Sequence, residues 1–175
     1  FFEFALAGVP LLLGTTVVSV DPRDRIVATD DGSLPYETLL IATGAAPRRL
    51  RVPGAELPGV YSLRTLADSR HIRDAAGAAG RAVVVGNGNV ALDGRELLGL
   101  YREHGVEVLL DTQVSSFGGR DRLERVETSS GLRIAADLAV VGVGVVPAVA
   151  PLEGSGVALD DGVVVDERFQ TNVPG

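Results

Sequence analysis

Arg81-Ala82-Val83-Val84-Val85-Gly86-Asn87-Gly88-Asn89-Val90-Ala91 is the stretch that decides the fold. Its first five residues have the pattern of a short buried strand, and the next six fit G-x-G-x-x-G/A opening a helix. The first glycine of such a turn permits a tight bend, and the second lets backbone approach a pyrophosphate. A small third residue lets helix and strand pack closely. The helix start then offers unpaired N–H groups and a partial positive charge to phosphates. Glycine-rich strand-to-helix turns also arise for packing alone, but the strand and helix flanking this one favour dinucleotide binding.

Downstream, Ala91 to His104 reads as a helix with Leu97, Leu98 and Tyr101 on one face and Gly105 as its cap. A dinucleotide unit usually has a second strand ending about 20 residues on in an acidic residue that holds ribose hydroxyls. Asp111 sits near that distance. The internal repeat described next instead aligns Asp111 with Gly14, ahead of a later meander, and favours a reading in which the second strand is missing. Upstream, Leu66 to Ala79 has helical spacing, with Thr65 as N-cap and Gly80 as stop.

Gly8-Val9-Pro10-Leu11-Leu12-Leu13 resembles Gly105-Val106-Glu107-Val108-Leu109-Leu110, and Arg23-Asp24 resembles Arg120-Asp121, both at an offset of 97. Farther on, Leu39-Leu40-Ile41-Ala42 answers Leu138-Ala139-Val140-Val141, and Gly44-Ala45-Ala46-Pro47 answers Gly144-Val145-Val146-Pro147. Each copy reads as an extended segment, an antiparallel meander, then an apolar strand ending in Gly and Pro. The alternation in Arg25 to Thr29 and Leu132 to Ala135 has the period of a sheet with one wet face. The apolar strands Leu39–Ala42 and Leu138–Val143 lack it, as parallel strands covered on both faces do. Between the copies, Pro53-Gly54 and Pro58-Gly59 mark a connector.

The chain has 175 residues, 46% of them hydrophobic, enough to bury a core in one domain or two small modules. Its formal net charge of -7, with every basic residue an arginine and none clustered, gives no footprint for nucleic acid or an anionic membrane. Cysteine is absent, so redox chemistry falls to a bound cofactor. No run is long enough to span a membrane and the first residues lack the features of a signal peptide, so cytoplasm is the default expectation. Starting at Phe1 with no methionine, the sequence is expected to be an excerpt or a processed chain.

These residues resemble the FAD-dependent pyridine-nucleotide oxidoreductases, and among them the ferredoxin and rubredoxin reductases that serve oxygenase systems. Leu39 to Gly44 looks like the family's A-T-G segment, Val52-Pro53-Gly54 and Val60 to Thr65 like its connector, and Val140 to Pro147 like its return strand. Gly162 to Asp166 looks like the segment before the second flavin motif. The resemblance implies an α/β, Rossmann-like three-layer FAD/NAD(P)-binding fold with antiparallel β-meanders, here truncated. It implies residues 1–64 as part of the FAD-binding domain, 65–147 as a shortened NAD(P)-binding domain, and 148–175 as the return segment. The amino-terminal flavin fingerprint, the A-G-D flavin motif and one strand–helix unit near Gly94 are absent. Ala46 replaces an arginine common in the flavin-contacting run, and Asp93 replaces a glutamate common near the nicotinamide.

The cofactor-binding residues implied are Gly86, Asn87, Gly88, Asn89, Val90, Ala91 and Asp93 for NAD(P). Ala42, Thr43, Gly44, Gly142 and Gly144 complete the cofactor-binding set. The cofactors carry the chemistry, so no catalytic residue is expected. A ferredoxin-like iron–sulfur protein is the implied partner. His71 and His104, near a helix start and a helix end, lack ligand spacing and read as solvated; no metal site is expected. Asp30-Asp31-Gly32 and Asp160-Asp161-Gly162 read as turns, and Arg48, Arg49 and Arg51 as solvated. Two functions remain open: a piece of a flavin-dependent reductase with little activity alone, and a non-catalytic nucleotide-binding module or structural remnant.

Overall fold

The computed structural model describes residues 9–86 and 101–174. The chain divides into two compact units, Phe1–Ala45 with Pro147–Gly175, and Ala46–Val146.

In the first unit, β1 (Val17–Asp21), β2 (Ile26–Thr29) and β3 (Gly32–Pro35) form an antiparallel meander in that order. Asp30-Asp31-Gly32 makes the β2–β3 turn, with Gly32 at φ 141°, a backbone conformation that side chains disfavour. Val20 and Val27 pack on Leu152, which a 3-10 turn at Ala150–Leu152 carries into the cluster with Tyr36, Leu39 and Ile41 around it.

The second unit holds β5 (Val60–Ser62), helix α1 (Leu66–Ala76), β6 (Ala82–Gly86), the meander β7 (Val114–Gly118), β8 (Arg125–Thr128), β9 (Arg133–Ala135), and β10 (Leu138–Gly142). The strands β5, β10 and β6 form a parallel sheet in that order. The short strands β4 (Ala45–Pro47) and β11 (Val145–Pro147) are where the chain passes from one unit to the other; β12 (Leu159–Asp160) and β13 (Gly162–Val163) form a hairpin in the first unit. The core of the second unit is Phe117, Leu123, Val126, Ala136, Ala139 and Val141. Each of its larger side chains contributes about 1.5–3 kcal/mol by leaving water.

The connector is sewn to this core through its turns. Pro53 O accepts Phe117 N–H at 2.9 Å, Pro58 O accepts Leu123 N–H at 2.8 Å, and Gly59 O accepts Ala139 N–H at 2.7 Å. Helix α1 starts as the sequence predicts: Thr65 accepts the Asp68 N–H while the Asp68 carboxylate accepts the Thr65 N–H, a capping box worth about 1 kcal/mol at its threonine. It stops three residues earlier than expected, at Ala76, with Gly77 as its C-cap donating to Arg73 O. A later helix ends at Glu103 in a Schellman turn, in which Val106 N–H donates to Tyr101 O and Gly105, at φ 71°, donates to Arg102 O.

The duplication reaches the level of local irregularity. β1 is bulged between Val17 and Ser19, and β7 between Val114 and Ser116, again 97 residues apart. One pair of copies diverges. Leu138–Gly142 is a strand with Leu138, Ala139 and Val141 buried, whereas Leu39–Ala42 forms no strand and Leu40 is 87% exposed. The difference is one of neighbours: β10 lies between β5 and β6, while no parallel strand of the first unit flanks Leu39–Ala42 among the described residues. The segment Val106–Leu110 also forms no strand and is exposed along its length.

Three carboxyls of the second unit are held below the ordinary range. The Thr65 backbone N–H does this for Asp68, the Arg125 guanidinium for Glu127, and the Gly80 and Arg81 N–H groups for Asp137. A carboxyl whose folded pKa lies below its unfolded value stabilises the fold fully above the unfolded value, about pH 4, and loses that effect as pH falls through the folded one. The urea midpoint should therefore hold between pH 7 and about 5 and fall steadily below about 4. A midpoint unchanged between those ranges would contradict the assignment.

Candidate functional site

In an open α/β sheet, ligands bind beyond the carboxyl ends of the strands. At that end of the parallel sheet, Gly86 closes β6 and Gly142 closes β10, and the two are register partners. Adjacent strands thus end side by side in residues without side chains, both of them exposed. Among the described residues, packing does not demand glycine at 142: an added Cβ would meet only the Val85 carbonyl oxygen, at 3.9 Å. No other described residue closes this space to a ligand that must approach backbone closely.

Asp137 sets this register. Its carboxylate accepts the N–H groups of Gly80 at 2.9 Å and Arg81 at 3.1 Å, and its own N–H donates to Arg81 O. It thereby fixes where β6 begins beside β10. Sequence reasoning passed over it; an acidic residue at the mouth of an apolar strand was the available signal. Arg48, read as solvated, is engaged as well: its N–H donates to Gly144 O at 2.9 Å and its guanidinium to Val145 O at 3.3 Å. Arg49 pairs with Glu56 in the open, where such pairs contribute little.

Of the glycine fingerprint the structure places Gly86 alone; Asn87, Gly88, Asn89, Val90, Ala91 and Asp93 lie outside the described residues. Gly144, at φ 95°, makes the turn after β10 in the second unit. Ala42, Thr43 and Gly44 belong to the first unit and are exposed, with Gly44 at φ 69° and its carbonyl accepting Ala148 N–H at 3.0 Å. Asp111 sits in a turn at φ 51°, and no strand ends at it. It therefore lacks the position beside β6 that a ribose ligand needs. His71 lies mid-way along α1 and is exposed, rather than at its start. No cluster of metal-ligating side chains occurs among the described residues, and no described helix is long and apolar enough to cross a membrane.

A concavity of about 440 Å³ lies on the opposite flank of β10, against Tyr61, Ser62, Arg64, Asp68 and Phe117. Gly86 and Gly142 do not line it. Of its two carboxylates, that of Asp68 is committed to the cap of α1 and that of Glu56 pairs with Arg49.

Residues 5–98 and 94–175 each match the family model for pyridine nucleotide-disulphide oxidoreductase, which together take in nearly the whole chain. The chain belongs to the pyridine nucleotide-disulphide oxidoreductase family. It is 33% identical to the benzene 1,2-dioxygenase system ferredoxin–NAD(+) reductase subunit of Pseudomonas putida, over 98% of this chain and 50% of that protein. It is 34% identical to rhodocoxin reductase of Rhodococcus erythropolis, over 93% of this chain and 46% of that protein. The ferredoxin reductase for the CYP199A2 system from Rhodopseudomonas palustris superposes with a TM-score of 0.82 at 28% identity, over 91% of this chain and 48% of that one. The chain thus spans about half the length of these relatives, and its fold is the truncated Rossmann-like α/β fold with meanders.

The alignment with the Pseudomonas putida subunit runs to 203 positions against a chain of 175, so at least 28 positions are gaps in this chain. The two family matches overlap at residues 94–98. For the family's nicotinamide nucleotide, the Gly86–Gly142 end of the sheet fits on the β10 side. For its flavin, the exposed Ala42–Gly44 backbone is present, but the chain's one glycine fingerprint begins at Gly86, in the other unit. These residues do not by themselves build a flavin pyrophosphate site.

Proposed function

We propose that the chain is the nicotinamide-side part, with a portion of the flavin side, of an FAD- and NAD(P)H-dependent reductase that delivers electrons to a ferredoxin-like iron–sulfur protein in the cytoplasm. The observation that carries this reading is the pairing of Gly86 with Gly142 at the carboxyl ends of parallel strands. Family membership, and the oxygenase-system reductases among the relatives, support it. When bound, the flavin and nicotinamide rings supply hydride and single-electron transfer themselves. The chain's share is positional: Gly86 and Gly142 admit the nucleotide to bare backbone, and Asp137 holds β6 in register. Residues 65–147 form the nicotinamide module in this reading, with 1–64 and 148–175 on the flavin side; two units support a two-module partition, although they divide at Ala45/Ala46 and so put residues 46–64 with the second unit.

The flank of β6 that no described strand covers favours a second reading, a nucleotide-binding module without redox turnover. Calorimetric titration of the purified chain with NADH, NADPH and FAD separates them. Affinity for reduced nicotinamide nucleotide without flavin is the expected result and fits the module on its own, and a yellow chromophore that copurifies makes the chain itself a flavoprotein. Heat from none of the three overturns nucleotide binding and leaves a structural remnant.

A further inference from the structure

We infer that the second unit carries a docking groove for an acidic segment of a partner protein, along the stretch from Ala46 to Asp68. The inference goes beyond nucleotide binding and draws nothing from it. Residues 46–67 hold Arg48, Arg49, Arg51 and Arg64 against Glu56 as their one acidic residue, a net charge of +3 in a chain whose total is -7. All four arginines are exposed. The concavity of about 440 Å³ at Tyr61 and Arg64 shares Pro47, Arg49, Leu50, Ala55 and Glu56 with a second one, of about 830 Å³, at Arg48 and Arg51. The two therefore adjoin as one groove, and it lies wholly within the second unit.

Most of that charge is uncompensated. Arg49 pairs with Glu56, while Arg48 gives one guanidinium N–H to the Val145 carbonyl and keeps its full charge. Arg51 and Arg64 make no ion pair or side-chain hydrogen bond among the described residues. A compact anion needs donors that converge on one point. Here Arg51 lines one concavity and Arg64 the other, so the ligand that meets both is a chain bearing several carboxylates. The apolar surroundings favour a polypeptide over a nucleic acid. Leu50, Val52 and Ala55 are half-buried in the groove, and Leu63 and Leu66 flank Arg64 at 58% and 59% exposure. Arginine set among apolar side chains suits a protein interface, whereas single-stranded nucleic acid stacks its bases on exposed aromatic rings. Of the groove's two aromatic side chains, Phe117 is buried, which leaves Tyr61. The wall is held in place before any partner arrives, because the Pro53 and Pro58 carbonyls anchor it to Phe117 and Leu123.

The test is fluorescence anisotropy of a labelled, glutamate-rich peptide with scattered leucines, about 12 residues and so roughly 40 Å when extended, titrated with the full chain. Saturable binding at about 20 mM salt that weakens at least about tenfold by about 200 mM is the expected result. Arg51→Gln with Arg64→Gln should also weaken it at least about tenfold, with the melting temperature unchanged, because neither side chain has a described partner to lose. Arg23→Gln with Arg168→Gln removes the same charge from the first unit and should change affinity by less than about twofold. Equal losses from the two double variants overturn the inference by making the attraction diffuse. So does an oligothymidylate of matching length that binds as tightly as the peptide, or the lack of saturable peptide binding at low salt. Self-association of the chain at low salt that Arg51→Gln with Arg64→Gln abolishes overturns it in favour of a second copy.

Discussion

Gly142→Val is expected to reduce the affinity for reduced nicotinamide nucleotide at least tenfold while moving the melting temperature by no more than about 4 °C. The two halves of that expectation have separate origins. Gly142 ends β10 with no positive φ, and the nearest atom to an added Cβ is Val85 O at 3.9 Å. A β-branched side chain is at home in such a strand. The valine methyls would instead occupy the exposed space over the paired ends of β6 and β10, where the nucleotide must approach backbone. Thermal denaturation followed by circular dichroism reads the first half and titration with NADH the second. An unchanged affinity in a folded variant would remove Gly142 from the site.

Gly54→Ala should show the reverse, a large loss of stability. Gly54 turns the connector at φ 79°, and a Cβ there would lie on the carbonyl of Phe117. Neither partner has room to yield. Phe117 is 3% exposed at the centre of the core, and its N–H is tied to Pro53 O at 2.9 Å. The combined clash and left-handed strain should cost about 3 kcal/mol or more and lower the melting temperature by on the order of 10 °C. Gly154→Ala is the control, because Gly154 has a similar φ of 77° with nothing within 4 Å of an added Cβ. It should cost only the conformational penalty, about 1 kcal/mol. Equal losses in both variants would show that steric contact with Phe117 is not the cause.

The parts of the fold carried by local pattern were legible in the sequence. The alternation around Ile26–Thr29 and Arg133–Ala135 became meanders, both Asp-Asp-Gly runs became turns, and Thr65 caps its helix. The repeat offset of 97 turned out to separate equivalent β-bulges. What pattern does not encode is the identity of a strand's neighbours. Leu39–Ala42 and Leu138–Val141 are interchangeable as strings of apolar residues, yet one is a buried strand and the other is half solvated. Parallel pairing is decided at long range, by whether Val60 and Val83 or their counterparts exist to flank the strand.

The site was legible in the same uneven way. Gly86 and Gly142 were both singled out, but from separate motifs; the register that makes them neighbours is a property of the folded sheet. The roles of Asp137 and Arg48 rest on contacts 57 and 97 residues away in the chain, beyond the reach of any motif. The Pro-Gly pairs of the connector read as punctuation, and the structure shows their carbonyls as the attachment points of Phe117, Leu123 and Ala139.

The bare margin of β6 has a bearing on how the molecule behaves in company. Among the described residues nothing pairs with it, and alternate residues of the Ala82–Gly86 strand present N–H and C=O groups along it, with no lysine, proline or bulge to discourage a visiting strand. A net charge of -7 is then the main force holding copies apart, and salt weakens that force. Crowded, saline preparations favour strand-to-strand association between molecules, and dilute, low-salt ones favour the isolated chain.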